Sequence, residues 1–219
     1  MSSFVELLTE NFGALASGFW VTCRLVVGSF LLAAVVGTLV AALRIAPSKW
    51  LQRLGGVYVE AFRNVPLLVL LVISYSGLRR AGVPIDTWTA GIGALGLYTG
   101  AYFAEVLRSG VFAVSRGQIE ASLSLGFSYA QTLRRIVLPQ AARTVISPIG
   151  SITIAMIKNS AIIGAALAVN DTLKEARILA ARTFENEAAF FWATIGYLLL
   201  TVAATIAVRQ LEQRYAIRR

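Results

Sequence analysis

Histidine is absent from the 219-residue chain, and cysteine occurs once, at Cys23. Without histidine, the chain has no histidine base for catalysis and no histidine ligand for a metal. A single cysteine excludes both a disulfide within the chain and a cysteine metal cluster. The HExxH, GxSxG and Walker lysine patterns are missing too, so the sequence argues against an enzyme.

Charged residues are also scarce. Asp, Glu, Lys and Arg make up 14% of the chain, 57% is hydrophobic, and the mean hydropathy is +0.71. Soluble domains carry roughly 25% charged residues, so these values predict an all-α integral membrane protein. The formal charge of +9 is expected to orient membrane spans, and we predict no nucleic-acid partner.

Five apolar segments approach or exceed the ~20 residues that a helix needs to cross the hydrocarbon. They predict five transmembrane helices in a single domain, 1–219, over residues 17–43, 58–78, 88–107, 144–169 and 188–208. The fourth segment is interrupted by the polar residues 158–160. Residues 1–16 predict a short helix on the membrane surface. Thr172 with Glu175 predicts the start of another helix outside the bilayer.

Basic residues are divided unevenly between the connecting segments. With the N-terminus outside, thirteen Lys and Arg residues fall in the inner segments and five in the outer ones. The positive-inside rule then predicts an outer N-terminus, a cytoplasmic C-terminus and a cytoplasmic loop over residues 108–143.

The stretch Ser115–Pro139 is a long polar interruption that predicts two short helices. Two Ser-x-x-Gln capping boxes, at Ser115 and Ser128, mark the helix starts. Gly126 can adopt the left-handed conformation that ends the first helix, and Pro139 lies where the second is expected to stop. Small residues between these ends would leave the backbone open to a partner surface.

The motif Glu120-Ala121-Ser122, followed by Gly126 and by Ile-x-Leu-Pro at residues 136–139, resembles the EAA loop of permease subunits of bacterial ABC importers. Only Ser122 departs from it, since the family usually has alanine there. The resemblance runs from about Tyr58 to the C-terminus, and residues 60–66 and 100–108 are similar to the polar amino acid subfamily.

This resemblance implies a type I ABC importer permease fold with a cytoplasmic coupling helix that docks on a separate ATPase subunit. Two ATPase subunits would bind ATP and Mg, and the chain itself would hold no cofactor. A second permease subunit, either this chain or a paralogue, would complete the path in the bacterial inner membrane. An extracytoplasmic binding protein would deliver a polar amino acid in the glutamate, glutamine or basic range. The implied docking residues are Gly117, Glu120, Ala121, Ser122 and Gly126.

Lys158 lies roughly 22 Å into the fourth span, counted from Arg143. A charge at that depth is costly and usually faces a bundle interior or water. Two interpretations stay open: Lys158 lines a translocation path, or it caps the carbonyls of a broken helix. The family usually has Lys-Asp-Thr or Lys-Asp-Ser at this place. The path candidates are Lys158, Asn159, Ser160, Tyr102, Asn64 and Thr99.

Two acid and base pairs lie near the predicted cytoplasmic ends of spans. Glu60 with Arg63, and Glu105 with Arg108, are spaced i,i+3 and therefore share a helix face. They are either local ion pairs or parts of an inner gate that brace the coupling loop.

An ion-coupled secondary transporter or channel is the alternative function. Lys158, Glu60 and Glu105 would then couple ion movement. Five spans do not divide into two equal repeats as many secondary transporters do, and such a transporter has no evident use for an EAA-type loop.

Overall fold

The computed structural model describes residues 2–215, which contain helices and turns and no strand. Every helical element belongs to one bundle, apart from the segment around residues 115–139 at one end. In chain order the elements are α1 (Ser2–Ile45), α2 (Lys49–Arg63), α3 (Leu67–Val72), the π-helical turn π1 (Ile73–Gly77), α4 (Leu78–Arg80), α5 (Thr87–Phe112), α6 (Arg116–Ser124), α7 (Tyr129–Thr132), the π-helical turn π2 (Leu133–Val137), α8 (Leu138–Thr144), α9 (Ile146–Ala166), α10 (Thr172–Thr183) and α11 (Asn186–Tyr215).

Four of these helices, α1, α5, α9 and α11, are long and apolar enough to cross a membrane. The predicted second span over residues 58–78 is not continuous. The chain bends by 99° between Lys49–Arg63 and Leu67–Arg80. Pro66 explains the break, because proline lacks the backbone N–H and disfavours helical geometry in the residue before it. A fifth crossing therefore exists only if this bent pair is one span.

The N-terminal residues are part of α1, although its backbone leaves helical geometry at Asn11, with φ −117° and ψ 18°. Leu7 is buried among side chains of α10 and α11. The Trp192 indole N–H donates to the Phe4 carbonyl at 2.8 Å. From Ser2 onward, the predicted surface helix is therefore joined to the first span through a kink and is packed against the bundle.

Glycines allow α1 and α5 to approach closely along their length. A Cβ added to Gly96 would lie 2.7 Å from Leu32 Cδ2, and one added to Gly37 would lie 2.5 Å from the Phe103 Cβ. At Gly37 the contact is with a Cβ that cannot swing away, so only glycine fits, whereas at Gly96 the Leu32 side chain would have to shift. This arrangement is the close helix packing that small residues permit in membranes.

The fourth predicted span is an unbroken helix through Lys158. α9 runs from Ile146 to Ala166, and the departure from α-helix lies before it, at Val145. The buried Ser160 hydroxyl donates to the Ile157 carbonyl at 2.7 Å, so this polar side chain is satisfied inside its own helix. The predicted interruption at 158–160 is absent, and the capping interpretation of Lys158 loses the broken turn on which it depended.

Apolar side chains from α1, α3, α5 and α9 form the largest buried cluster. Leu25, Leu71, Leu95 and Ile163 are fully buried in it. α11 differs, because only 6% of its most apolar stretch is buried. An apolar helix that leaves most of its surface uncovered suits contact with lipid.

Candidate coupling and translocation sites

The segment Ser115–Pro139, here called the EAA segment, folds as two helical pieces joined at Gly126. α6 starts after Ser115, whose side chain forms no capping bond. α7 starts after Ser128, whose capping box with Gln131 is complete. Gly126 has φ +83°, the left-handed conformation expected where α6 ends. Both helix starts are therefore where the sequence predicts them, but only one has the predicted side-chain bond.

The second piece does not stop at Pro139. Its helix continues through π2 and α8 to Thr144. A proline ring clashes with the carbonyl four residues earlier in an α-helix, and the wider π turn directly before Pro139 changes that spacing. The prediction that this helix ends at Pro139 is wrong for this reason.

Four of the five proposed docking residues lie on the surface of the EAA segment: Gly117, Glu120, Ala121 and Gly126 are exposed. Ser122 is buried, and its hydroxyl lies 2.8 Å from the Thr132 hydroxyl. Ser122 therefore joins α6 to α7 and does not contribute to the outer surface. Leu125 is 79% exposed, and Leu123 and Tyr129 of the same segment are exposed as well, so apolar side chains lie on its surface among polar ones.

Glu105 is the centre of a charge cluster at the same end of the bundle. Its carboxylate contacts the Arg44 guanidinium of α1 and the Arg108 guanidinium one turn along α5, each at 2.5 Å. The predicted Glu105–Arg108 pair is confirmed, and Arg44 is a partner that the sequence analysis missed. Glu60 and Arg63 form no ion pair within residues 2–215.

Arg63 instead lies over an aromatic ring, with its guanidinium carbon 5.1 Å from the centre of Tyr102. Cations are attracted to aromatic faces by the negative charge of the π system. Asn64, the next residue, is the exposed C-cap of α2. Asn64 is not among the residues that line the cavity between α5 and α9, which is described next and which Tyr102 borders.

A cavity of about 210 Å³ opens between α5 and α9. Three of the predicted path residues, Thr99, Tyr102 and Asn159, line it. Tyr98, which the sequence analysis missed, also lines it, and its hydroxyl lies 3.1 Å from the Tyr102 hydroxyl. The remaining lining residues are Ile152, Ala155 and Met156. Polar groups of two helices therefore converge within the bundle.

Lys158 is next to the cavity residue Asn159 in the sequence, but it does not itself line the cavity. It is exposed in the single chain, and it lies about 18 Å along α9. An exposed ammonium at that depth requires water or another protein chain, because a charge facing lipid near the bilayer centre costs several kcal/mol. Ser160 belongs to the helix interior and not to the cavity.

At the opposite end of the bundle, a polar knot joins four helices through Thr22, Gly164, Asp171, Thr172 and Tyr197. Asp171 is fully buried, and one carboxylate oxygen accepts a bond from the Lys174 backbone N–H at 2.9 Å. The Tyr197 hydroxyl donates to the other oxygen at 3.2 Å. The Thr172 N–H donates to the Thr22 hydroxyl at 3.0 Å. α10 is thereby attached to both α1 and α11.

The knot also corrects a predicted helix start. The N-cap of α10 is Asp171, whose side chain accepts the capping bond, and not Thr172. Gly164 of α9 lies against this carboxylate so closely that a Cβ there would overlap it. Burial raises the pKa of the Asp171 carboxyl above its ordinary value, although the bonds from Lys174 and Tyr197 act in the opposite direction.

The knot and the charge cluster are separated by about the thickness of a membrane. Thr22 and Arg44 both belong to α1, and at ~1.5 Å per residue they are ~33 Å apart along it. The hydrocarbon core of a bilayer is ~30 Å thick. The two polar sites therefore bracket the apolar part of the bundle.

Comparison with known families agrees with this geometry. Residues 33–217 match the family of binding-protein-dependent transport system inner membrane components. The chain belongs to this family. This match favours the importer over the ion-coupled secondary transporter or channel that was the alternative, and the chain is a membrane component of a transport system.

Two relatives and one solved structure cover nearly the whole chain. The probable glutamine ABC transporter permease GlnM of Bacillus subtilis is 39% identical over 96% of this chain and 97% of its own length. The glutamate transport system permease GluC of Corynebacterium efficiens is 34% identical over 94% and 96%. A crystal structure of an amino acid ABC transporter with histidines matches with a TM-score of 0.89 at 29% identity, covering 94% of this chain and 96% of that one. The type I importer permease fold that the resemblance implied is therefore confirmed.

Proposed function

We propose that this chain is the permease subunit of an ATP-driven importer that moves a polar amino acid across the bacterial cytoplasmic membrane. The relatives described above are named as permeases for glutamine and glutamate. The observation that carries the proposal is the EAA segment, which projects exposed residues around Glu120 from one end of a membrane bundle. Such a surface has no use within the chain itself.

In this proposal α6 is the coupling helix and docks on a separate ATPase subunit. Exposed Leu125 and Glu120 would give that interface an apolar contact and a charge. Leu123, Leu125 and Tyr129 are all exposed on this segment, and a group of uncovered apolar side chains rimmed by polar residues is typical of a protein interaction site. ATP and Mg would be bound by two copies of the ATPase, which supply the energy for transport.

The translocation path would run along the α5 and α9 cavity and the face of α9 that carries Lys158. That face is uncovered in the single chain, so a second permease, either this chain or a paralogue, would enclose it. Lys158 would then face a water-filled path, which satisfies its charge. An extracytoplasmic binding protein would deliver substrate at the knot end.

Glu120→Lys tests the coupling role, because it reverses the charge of an exposed side chain without removing a packing contact. We expect the complex to assemble in the membrane but to lose most of the ATPase stimulation by loaded binding protein. Glu212→Lys makes the same charge reversal near the C-terminal end of α11, on the cytoplasmic side in this proposal and outside the EAA segment, and should leave stimulation near normal. Normal stimulation in Glu120→Lys would contradict the coupling role.

Cysteine labelling tests the orientation. In a Cys23→Ser background, a cysteine at the exposed Ser128 should react with an impermeant maleimide only from the cytoplasmic side. A cysteine at the exposed Thr183 should react only from outside. The reverse pattern would contradict the topology that the positive-inside rule predicts.

A further inference from the structure

The α5 and α9 cavity carries a charge asymmetry that concerns its substrate. The polar residues that line it are the neutral Tyr98, Thr99, Tyr102 and Asn159, and no carboxylate of residues 2–215 borders it. The two hydroxyls of Tyr98 and Tyr102 share one hydrogen bond, which leaves one hydroxyl hydrogen free to donate. The wall therefore offers uncharged donors and acceptors but no counter-ion for a cation.

The charged groups close to the cavity are positive. The Arg63 guanidinium lies over Tyr102, which is part of the wall. Lys158 precedes Asn159 in α9 but does not line the cavity. Glu105, one turn beyond Tyr102, is the nearest acid along α5, but it contacts two arginines. That cluster adds a net positive charge and does not supply a free carboxylate.

Glu60 is the other acid to consider, since it lies one turn before Arg63 on α2. It is exposed and forms no ion pair with Arg63. Charges in a partly desolvated site interact over longer distances than charges in water. Among the charged groups, Arg63 is therefore the one that contacts a residue of the cavity wall, and its charge is positive.

We infer that this cavity selects amino acids whose side chain carries a carboxamide or carboxylate and rejects those whose side chain is a cation. The inference rests on the proposed importer function and adds a selection step in the permease itself. A lysine or arginine substrate would bring a second positive charge into a site without a partner for it. Selectivity of this kind arises because the complex with the rejected substrate would contain a charge that has no partner.

Asn159 is the residue that should determine this preference. Asn159 lines the wall of the cavity. Replacing its amide nitrogen with an oxygen would therefore introduce a carboxylate into that wall. Asn159→Asp preserves the size and shape of the side chain while adding a negative charge. This substitution alone should therefore shift the preference of the cavity toward substrates with a positively charged side chain.

The experiment measures binding of L-glutamine, L-glutamate and L-arginine to the purified permease and ATPase complex in nanodiscs, without binding protein. For the wild type we expect L-arginine to bind on the order of tenfold more weakly than the preferred of the other two. Equal or tighter binding of L-arginine would overturn the inference. Absence of binding by all three would also overturn it, while the Glu120→Lys assay would still report on the importer function.

Asn159→Asp should shift the ratio of arginine to glutamate affinity toward arginine by about tenfold. Asn186→Asp, which adds the same charge to an exposed residue at the start of α11, should leave the ratio unchanged. Equal shifts in the two variants would show a general charge effect and would contradict the role of Asn159. The wild-type measurement decides the inference even if Asn159→Asp does not assemble.

Discussion

The two polar sites at the ends of the bundle stabilise it in different ways. The knot buries a carboxylate completely and satisfies it with neutral donors, an N–H and a hydroxyl. The charge cluster leaves its side chains 21 to 30% exposed and pairs one carboxylate with two guanidinium groups. The knot therefore depends on packing and geometry, whereas the cluster depends on charge and remains accessible to water.

This difference suits a protein in which one end must move relative to a partner. The contact between Gly164 and Asp171 is so close that it allows only one arrangement of the helices around it. We therefore expect α1, α9, α10 and α11 to move together at the knot end. Partly exposed ion pairs contribute little free energy each and can exchange partners at small cost. The EAA segment lies at the end where rearrangement costs less.

The largest expected effect comes from filling the closest contact of the knot. Gly164→Ala places a methyl group inside the Asp171 carboxylate, so α9 and α10 must separate. Overpacking of this kind costs about 3 kcal/mol of unfolding free energy. Thermal unfolding of the purified protein measures it.

Gly93→Ala is the matched control, because a Cβ at Gly93 in α5 meets nothing within 4 Å. Its stability should stay within about 1 kcal/mol of wild type. A similar loss in the two variants would contradict the special contact of Gly164 with Asp171.

The next effect is a pH dependence of opposite sign at two aspartates outside the spans. The pKa of Asp171 is raised by burial, so the stability it contributes is present below the ordinary pKa of ~3.9 and is lost as the pH rises through the folded value. The pKa of Asp86 is lowered by the hydroxyl and N–H of Thr89. Its contribution is present above the ordinary pKa and is lost as the pH falls.

Melting temperatures of wild type, Asp171→Asn and Asp86→Asn between about pH 2 and pH 8 test both signs, because the contribution of Asp86 changes only below its ordinary pKa of ~3.9. Relative to Asp171→Asn, the wild type should become less stable as the pH rises. Relative to Asp86→Asn, it should become more stable. Slopes of the same sign would contradict the difference between a buried and an exposed carboxylate.

Breaking the charge cluster should have a smaller effect. Glu105→Gln removes both ion pairs and leaves Arg44 and Arg108 facing each other, which should cost about 1 kcal/mol at low salt. The loss should shrink as salt screens the two arginines. Glu60→Gln, in an exposed residue with no ion pair, should change stability little at any salt concentration, and an equal loss there would contradict the cluster's role.

The smallest effect is expected in the EAA segment. Ser128→Ala removes a formed capping box and should weaken the start of α7 by about 0.5 kcal/mol. Ser115→Ala removes a serine that makes no capping bond and should have almost no effect. Amide hydrogen exchange at residues 129–132 and 116–119 compares the two, and equal acceleration would contradict the difference between the caps.

Sequence patterns determined the parts of this protein that depend on neighbouring residues. Apolar run length predicted the long helices because a span must be covered by apolar side chains. Ser128 and Gly126 predicted a helix start and a helix end because capping and a positive φ are local. The motif at residues 120–126 indicated the family, and family comparison confirmed it.

Tertiary structure decided what depends on residues far apart in the chain. Glu105 could be paired with Arg108 by spacing, but its contact with Arg44 requires α1 and α5 to pack together. Thr22 and Thr172 are 150 positions apart, so no periodicity relates them. Asp171 takes its role from burial against Gly164. Only the packed bundle removes that carboxylate from water, and desolvation by distant helices leaves no mark in a local sequence pattern.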